Sequence, residues 1–273
     1  MRHPFFEIDV FATGPFSGNP LAVIAEADGL STEQMQRIAA WTNFSETTFL
    51  LRPTTPEADY RVRIFTTSQE FPFAGHPTLG TARAWLELGG RPHRPGTVVQ
   101  ECGAGLVPVR IDGDDLAFAT PPCIRTGPLD DEDLTKAVRV LNLTPADVVA
   151  HAWGVNGPPW QLLQLRDADA VRAVRPHTDR PGVHIGLVGL EDAGSPVAYE
   201  VRAIAEDRED PVTGSLNGAL AQWLRGRGLV PAQYVATQGG QVGRAGRVTV
   251  RDDGSEIWIG GEATVRVHGE LSN

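Results

Sequence analysis

The chain repeats itself at a spacing near half its own length of 273 residues, and this restricts the folds open to it more than any other feature. Ala74, Gly80, Trp85 and Leu86 have counterparts 138 residues on in Val212, Gly218, Trp223 and Leu224. Tyr60-Arg61-Val62-Arg63 returns as Tyr199-Glu200-Val201-Arg202, and the segment from Gly105 to Gly113 returns as Gly246 to Gly254, in the same order and at nearly the same offset. A period this long is no solenoid repeat; it predicts two domains of one fold. The first pair of segments reads as a glycine-containing turn feeding a helix of small residues. A helix start of this kind offers backbone N–H groups without intrahelical partners to an anion. Two of them predict one acidic substrate gripped from both sides.

Composition restricts the partners. The formal net charge of −10, from 24 Lys and Arg against 34 Asp and Glu, speaks against nucleic acid, whose phosphates demand clustered cations. Cys102 and Cys123 are the only cysteines, too few for a disulfide framework and without metal-ligand spacing, so neither a metal nor another cofactor is expected. No apolar stretch approaches the ~20 residues that cross a membrane, and the first residues lack the apolar run of a signal peptide. A cytoplasmic protein with no membrane partner is the expectation.

Along the chain, short strands dominate. Phe5–Phe11, Leu21–Ala25, Glu46–Leu51, Tyr60–Thr66, Thr97–Gln100, Gly105–Ile111 and Leu116–Ala119 alternate or run apolar between Gly, Pro and Asp turns. Ser31 with Gln34 forms a capping-box pattern ahead of a helix that stops near Thr42-Asn43. Longer helices are predicted over Thr78–Leu88 and residues 215–225, and an amphipathic one around Leu134, Val138 and Leu141. Thr120–Pro128 reads as the linker. The pattern of short strands with one long helix per half is α+β with a mixed or antiparallel sheet, since regular βαβ alternation is missing.

Four side chains could carry chemistry. Glu46 follows a helix end and opens an apolar strand, where partial burial would raise its pKa and suit it to acid–base work; the plain alternative is an exposed strand-edge glutamate. His76, at a helix start, is a proton carrier or a hydrogen-bond donor, or else a cap. Asp210 either contacts substrate or complements a helix dipole. Ser215 either contacts substrate or serves as an N-cap. Nucleophile-elbow, dinucleotide, P-loop and zinc-protease motifs are all lacking.

These segments together resemble the PhzF-like family of phenazine-biosynthesis isomerases. The resemblance rests on Gly18-Asn19-Pro20-Leu21-Ala22-Val23, Ser45-Glu46-Thr47-Thr48-Phe49, Phe71 to Ala82 and Glu209 to Asn217, with Gln238-Gly239 and Gly260-Gly261-Glu262-Ala263 further on. It implies two pseudo-symmetric diaminopimelate epimerase-like domains, each a curved sheet or incomplete barrel around a central helix. Residues 1–120 would form the first and 121–261 the second, with a last strand over about 262–273 returning to complete the first. The active site would lie in the cleft between them, and a homodimer is expected. The resemblance further implies Glu46 as the acid–base group, with His76 and Asp210 catalytic beside it, and Ser45, Gly75, Gly214 and Ser215 binding substrate. The reaction so implied is a cofactor-independent proton shift within a small conjugated carboxylic acid of the dihydro-hydroxyanthranilate type. Related proline-racemase-like enzymes carry a cysteine where this chain has Ala74 and another where it has Val212, so racemisation by two thiols is excluded. An epimerase using Glu46 against Asp210 or His76, and a ligand-binding relative without catalysis, stay open as alternatives.

Overall fold

In the computed structural model, which describes residues 2–178, 182–205 and 208–273, the sequence repeat is a repeat of topology. The chain begins with β1 (Arg2–Val10), β2 (Asn19–Ile24), α1 (Thr32–Thr42), β3 (Thr47–Leu51), β4 (Tyr60–Phe65), β5 (Glu70–Phe71), α2 (Gly75–Glu87), β6 (Thr97–Cys102), β7 (Gly105–Asp112) and β8 (Asp115–Ala119). It continues through α3 (Asp131–Val140), β9 (Val148–Val155), β10 (Pro159–Leu165), α4 (Ala168–Ala173), β11 (Ile185–Leu190), β12 (Tyr199–Ile204) and β13 (Glu209–Asp210). The remaining elements are α5 (Gly214–Gly226), β14 (Gln233–Gln238), β15 (Gly246–Asp252) and β16 (Ile257–Ser272). Two compact units result: Met1–Ala119 with Gly260–Asn273, and Thr120–Ile259.

The first unit is a mixed sheet in the order β1-β2-β3-β4-β6-β7-β8-β16. Pairing of β16 with β1, from Arg2 against Ser272 to Val10 against Ala263, closes it into a barrel. The second unit runs β9-β10-β11-β12-β14-β15. Parallel pairs fall at matching places, β2 with β3 and β4 with β6 in one unit, β10 with β11 and β12 with β14 in the other. The segment read as a linker is an extended stretch of the second unit. Thr120 N–H donates to Ile257 O at 2.8 Å and Ile124 N–H to Val155 O at 2.7 Å, so its backbone groups extend the second sheet.

Each unit wraps one helix of small residues. In α2, every residue from Gly75 to Ala82 is buried, and in α5 every residue from Gly214 to Ala221. The duplicated Gly80 and Gly218 mark close approaches: a methyl group at Gly80 would lie 2.5 Å from Leu21, and one at Gly218 would collide with Thr120. Helix α2 starts at Gly75, three residues before the expected Thr78. The reason is Pro77, which reads as a turn residue but is tolerated in a first helical turn, where its missing N–H has no partner to lose. The short α4 also escapes sequence periodicity; it is held at its start by Asp167, whose carboxylate accepts from Ala170 N–H at 2.7 Å.

A second duplicated device steers the chain into each central helix. In the β4–β5 hairpin Arg63 grips Glu70 through two bonds of 2.7 and 2.6 Å, and in the β12–β13 hairpin Arg202 grips Glu209 at 2.9 and 2.7 Å. Both pairs are bidentate, so geometry does not separate them; burial does. The side chains are 26% and 39% exposed in the first pair, 3% and 9% in the second. Arg202 also donates to the carbonyls of Val171 and Val174 at the end of α4. Removing one partner of a buried pair strands the other charge, at a cost of about 3–5 kcal/mol, whereas an exposed pair contributes about 0–1 kcal/mol. Urea denaturation is therefore expected to show Arg202→Met destabilising by about 3–5 kcal/mol and Arg63→Met by about 1 kcal/mol or less.

Candidate active site

Glu46 stands between the end of α1 and the start of β3. Helix α1 ends on Asn43 in the left-handed conformation, with φ 59°, which turns the chain sharply and leaves Phe44, Ser45 and Glu46 to reach the strand. The capping box at its other end forms as the sequence predicts: Ser31 N–H donates to Gln34 Oε1 and Gln34 N–H to Ser31 Oγ. The Glu46 side chain is 14% exposed, which rules out the strand-edge alternative. One carboxylate oxygen lies 3.6 Å from Nε2 of His76, in the first turn of α2. Thirty residues apart in sequence, the two meet because β2 and β3 run parallel, with Ala22 paired to Thr47, and α2 packs against both strands.

His76 is 4% exposed, and burial pushes its pKa down to about 3. A carboxylate at this distance favours the imidazolium, but desolvation outweighs it, so the ring is neutral at physiological pH. Its Nδ1 lies 3.3 Å from the side-chain nitrogen of Asn19, at the start of β2. Asn19 is delivered by the loop after β1, whose amides Ser17 N–H and Gly18 N–H donate to the Asp9 carboxylate at 3.1 and 2.8 Å. The alternative of His76 as a cap does not hold: the N-cap of α2 is Ala74, which has no side-chain bond to offer.

In the second unit the structure places Asp210 at the end of β13, Gly214 at the start of α5 and Ser215 one residue into that helix. Asp210 accepts a hydrogen bond from the Thr213 hydroxyl. Ser215 is not an N-cap; that position belongs to Thr213, whose side chain makes no capping bond. Instead Ser215 Oγ accepts from the indole N–H of Trp160 at 3.1 Å. An indole only donates, so the serine keeps its own proton for another acceptor. Asn156 donates to the Ser215 carbonyl at 2.8 Å. Buried Gln238 fixes the turn: its carbonyl accepts from Thr213 N–H and Asn217 Nδ2, each at 3.0 Å, and its amide donates to Asp210 O and the Thr213 hydroxyl.

The three outer helices, α1, α3 and α4, are each capped by a side chain (Ser31, Asp130 and Asp167). The two central helices are not, so their first-turn N–H groups keep the capacity for an anion that the glycines suggested.

Asn19, Gln100 and Trp160 do not stand out as site residues in the sequence. Asn19 lies inside a motif, and Gln100 carries a visible signal, since it stands 138 residues before Gln238. In the structure it plays a corresponding part, accepting from the Tyr60 hydroxyl at 3.1 Å and donating to Thr78 Oγ in α2 at 3.0 Å. Trp160 carries none.

Residues 8–269 match the family described as PhzC-PhzF, phenazine biosynthesis-like protein. The chain belongs to that family. An uncharacterized isomerase of Mesorhizobium japonicum is 49% identical over 78% of this chain and 77% of its own. A trans-2,3-dihydro-3-hydroxyanthranilate isomerase of Pseudomonas aeruginosa is 33% identical over 93% of this chain and 91% of its own. Among solved structures, a PhzF-family phenazine biosynthesis protein of Bacillus anthracis covers 100% of both chains with a TM-score of 0.84 at 25% identity. The protein is thus a PhzF-family isomerase with the α+β barrel fold of that family. Among the described residues no helix is long and apolar enough to cross a membrane.

The neutral His76 has a measurable consequence for this enzyme. An unfolded histidine takes up its proton near pH 6.5 and the folded one near 3, so the unfolded state binds more protons throughout that window. The contribution of His76 to stability is complete above about pH 6.5 and falls by about 1.4 kcal/mol per pH unit as pH drops toward 3. The acid limb of a stability–pH profile is expected to be shallower in His76→Gln than in the parent protein, as followed by urea midpoints.

Proposed function

We propose that this PhzF-family isomerase moves a proton within a small conjugated carboxylic acid of the dihydro-hydroxyanthranilate type, with Glu46 as the group that carries it. The observation behind this reading is the Glu46 carboxylate, largely withdrawn from water and facing the Nε2 of a neutral imidazole at 3.6 Å. A carboxylate so placed takes a proton from an activated C–H bond. The electron pair left on carbon spreads through the conjugated system toward the substrate's carboxyl group. The same Glu46 carboxyl, now protonated, returns the proton at another carbon of that system, so no external acid is consumed. The first-turn N–H groups of α2, beginning at Gly75, are suited to the anionic charge that develops.

In this proposal Ser45 and Gly75 bind substrate beside Glu46, and Asp210, Gly214 and Ser215 are the contacts of the second unit. The Ser215 hydroxyl keeps its proton available to donate, since Trp160 takes one of its lone pairs. The substrate class comes from the Pseudomonas relative and from the motifs shared with its family. With alanine at 74 and valine at 212, this route needs one carboxylate and no thiol.

The decisive variant is Glu46→Gln. Incubated with trans-2,3-dihydro-3-hydroxyanthranilate in deuterated water, it is expected to lose turnover and deuterium incorporation by about 10²-fold or more, while substrate affinity measured by calorimetry changes little. Undiminished exchange in that variant would remove Glu46 from the chemistry.

A further inference from the structure

We infer that Asn19 is a positioning residue that fixes the tautomer of His76, keeping the ring's one proton on the nitrogen that faces Glu46 and leaving the imidazole unable to take up the proton that Glu46 carries. The inference deepens the proposed role of Glu46 and rests on it. Of the two ring nitrogens, Nδ1 faces the Asn19 side-chain nitrogen at 3.3 Å, and Nε2 faces the Glu46 carboxylate at 3.6 Å. With the Asn19 amide oriented as in the structure, its nitrogen faces Nδ1 and can only donate, so Nδ1 presents its lone pair to Asn19. A neutral imidazole carries one proton, which then sits on Nε2 and points at Glu46. All three groups belong to the first unit.

The consequence for chemistry is directional. Nε2–H turns the positive end of its bond dipole toward the Glu46 carboxylate before the reaction, when a base is needed, at 3.6 Å and so without a hydrogen bond between them. After Glu46 has taken the substrate's proton, no lone pair of the imidazole faces it, so the proton cannot leak into the ring. It stays on the one carboxyl until it returns to substrate carbon. Asn19 is itself firmly fixed. It is fully buried, pairs with Val10 across β1–β2, and follows directly on the loop clamped by Asp9.

The test is a long-range proton–nitrogen correlation spectrum of the ¹⁵N-histidine-labelled protein without ligand, the His76 signals being those lost in His76→Gln. Nδ1 is expected at the shift of a bare nitrogen and Nε2 at that of a protonated one at neutral pH; a protonated Nδ1 in the parent protein overturns the inference. Two variants ask which neighbour is responsible. In Glu46→Gln the same pattern should persist, because the Asn19 donor is untouched; a proton moving to Nδ1 there would show that Glu46 sets the tautomer. In Asn19→Asp the donor becomes an acceptor, and Nδ1 should gain a proton; a folded Asn19→Asp that keeps a bare Nδ1 also overturns the inference. Should that variant fail to fold, the parent and Glu46→Gln spectra decide alone. The readout needs no substrate, so a Glu46→Gln enzyme that still exchanges protons would refute the proposed function while leaving the tautomer result to stand or fall by itself.

Discussion

A helix enclosed by strands has to be thin on every side, and most of what distinguishes this protein follows from that. The interior of the first unit holds α2 only because Gly75, Gly80, Ala82 and Ala84 present almost no side chain to the surrounding strands. Such a helix cannot end in the manner of a surface helix. Its first turn lies among buried groups, and it opens on Ala74 with no capping side chain. The stability of the start is supplied from outside the helix, by buried Gln100 through Thr78 in one unit and by Gln238 through Thr213 and Asn217 in the other. A scaffold that braces its helix starts from behind leaves their N–H groups facing forward.

The polar groups around those starts share a second property. One hydrogen bond in each unit has a fixed sense. Trp160 can only donate, so the Ser215 hydroxyl keeps its proton available; the Asn19 nitrogen, which also only donates, takes the lone pair of His76 Nδ1. In a buried setting a hydrogen bond of the wrong sense leaves a polar atom stranded, at a cost of about 1–3 kcal/mol. That penalty is large enough to hold a hydroxyl or an imidazole in one orientation through many turnovers. Preorganisation here is therefore a matter of where protons sit as much as of distance.

How much of this is legible in the sequence depends on range. The capping box at Ser31 and Gln34, the strands and the stop at Asn43 are decided by neighbours within a few residues, and the sequence displays them. The duplication displays the helix pair and its glycines, and the motifs display Glu46, His76, Asp210 and Ser215. The early start of α2 is hidden by Pro77, which looks the same in a turn and in a first helical turn. Contacts between elements far apart in the chain are hidden as well. No local pattern tells that Trp160 meets Ser215, 55 residues on, or that Asn19 meets His76. Parallel pairing brings such groups together, and register between parallel strands is written in the whole core rather than in either strand.

The last strand has a bearing on how the protein comes into being. Val10 pairs with Ala263 and Arg2 with Ser272, so β1 finds this partner only after β16, much later in the chain, has been made. Until then β1 and β8 are open edges of an unfinished sheet, able to pair with any strand that passes. The second unit, by contrast, has all of its residues in hand before β16 is complete. The two units therefore close in the reverse of the order in which they begin: the one that carries Glu46 and His76 is started first and closed last, and it has to be kept from wrong pairings until β16 is made.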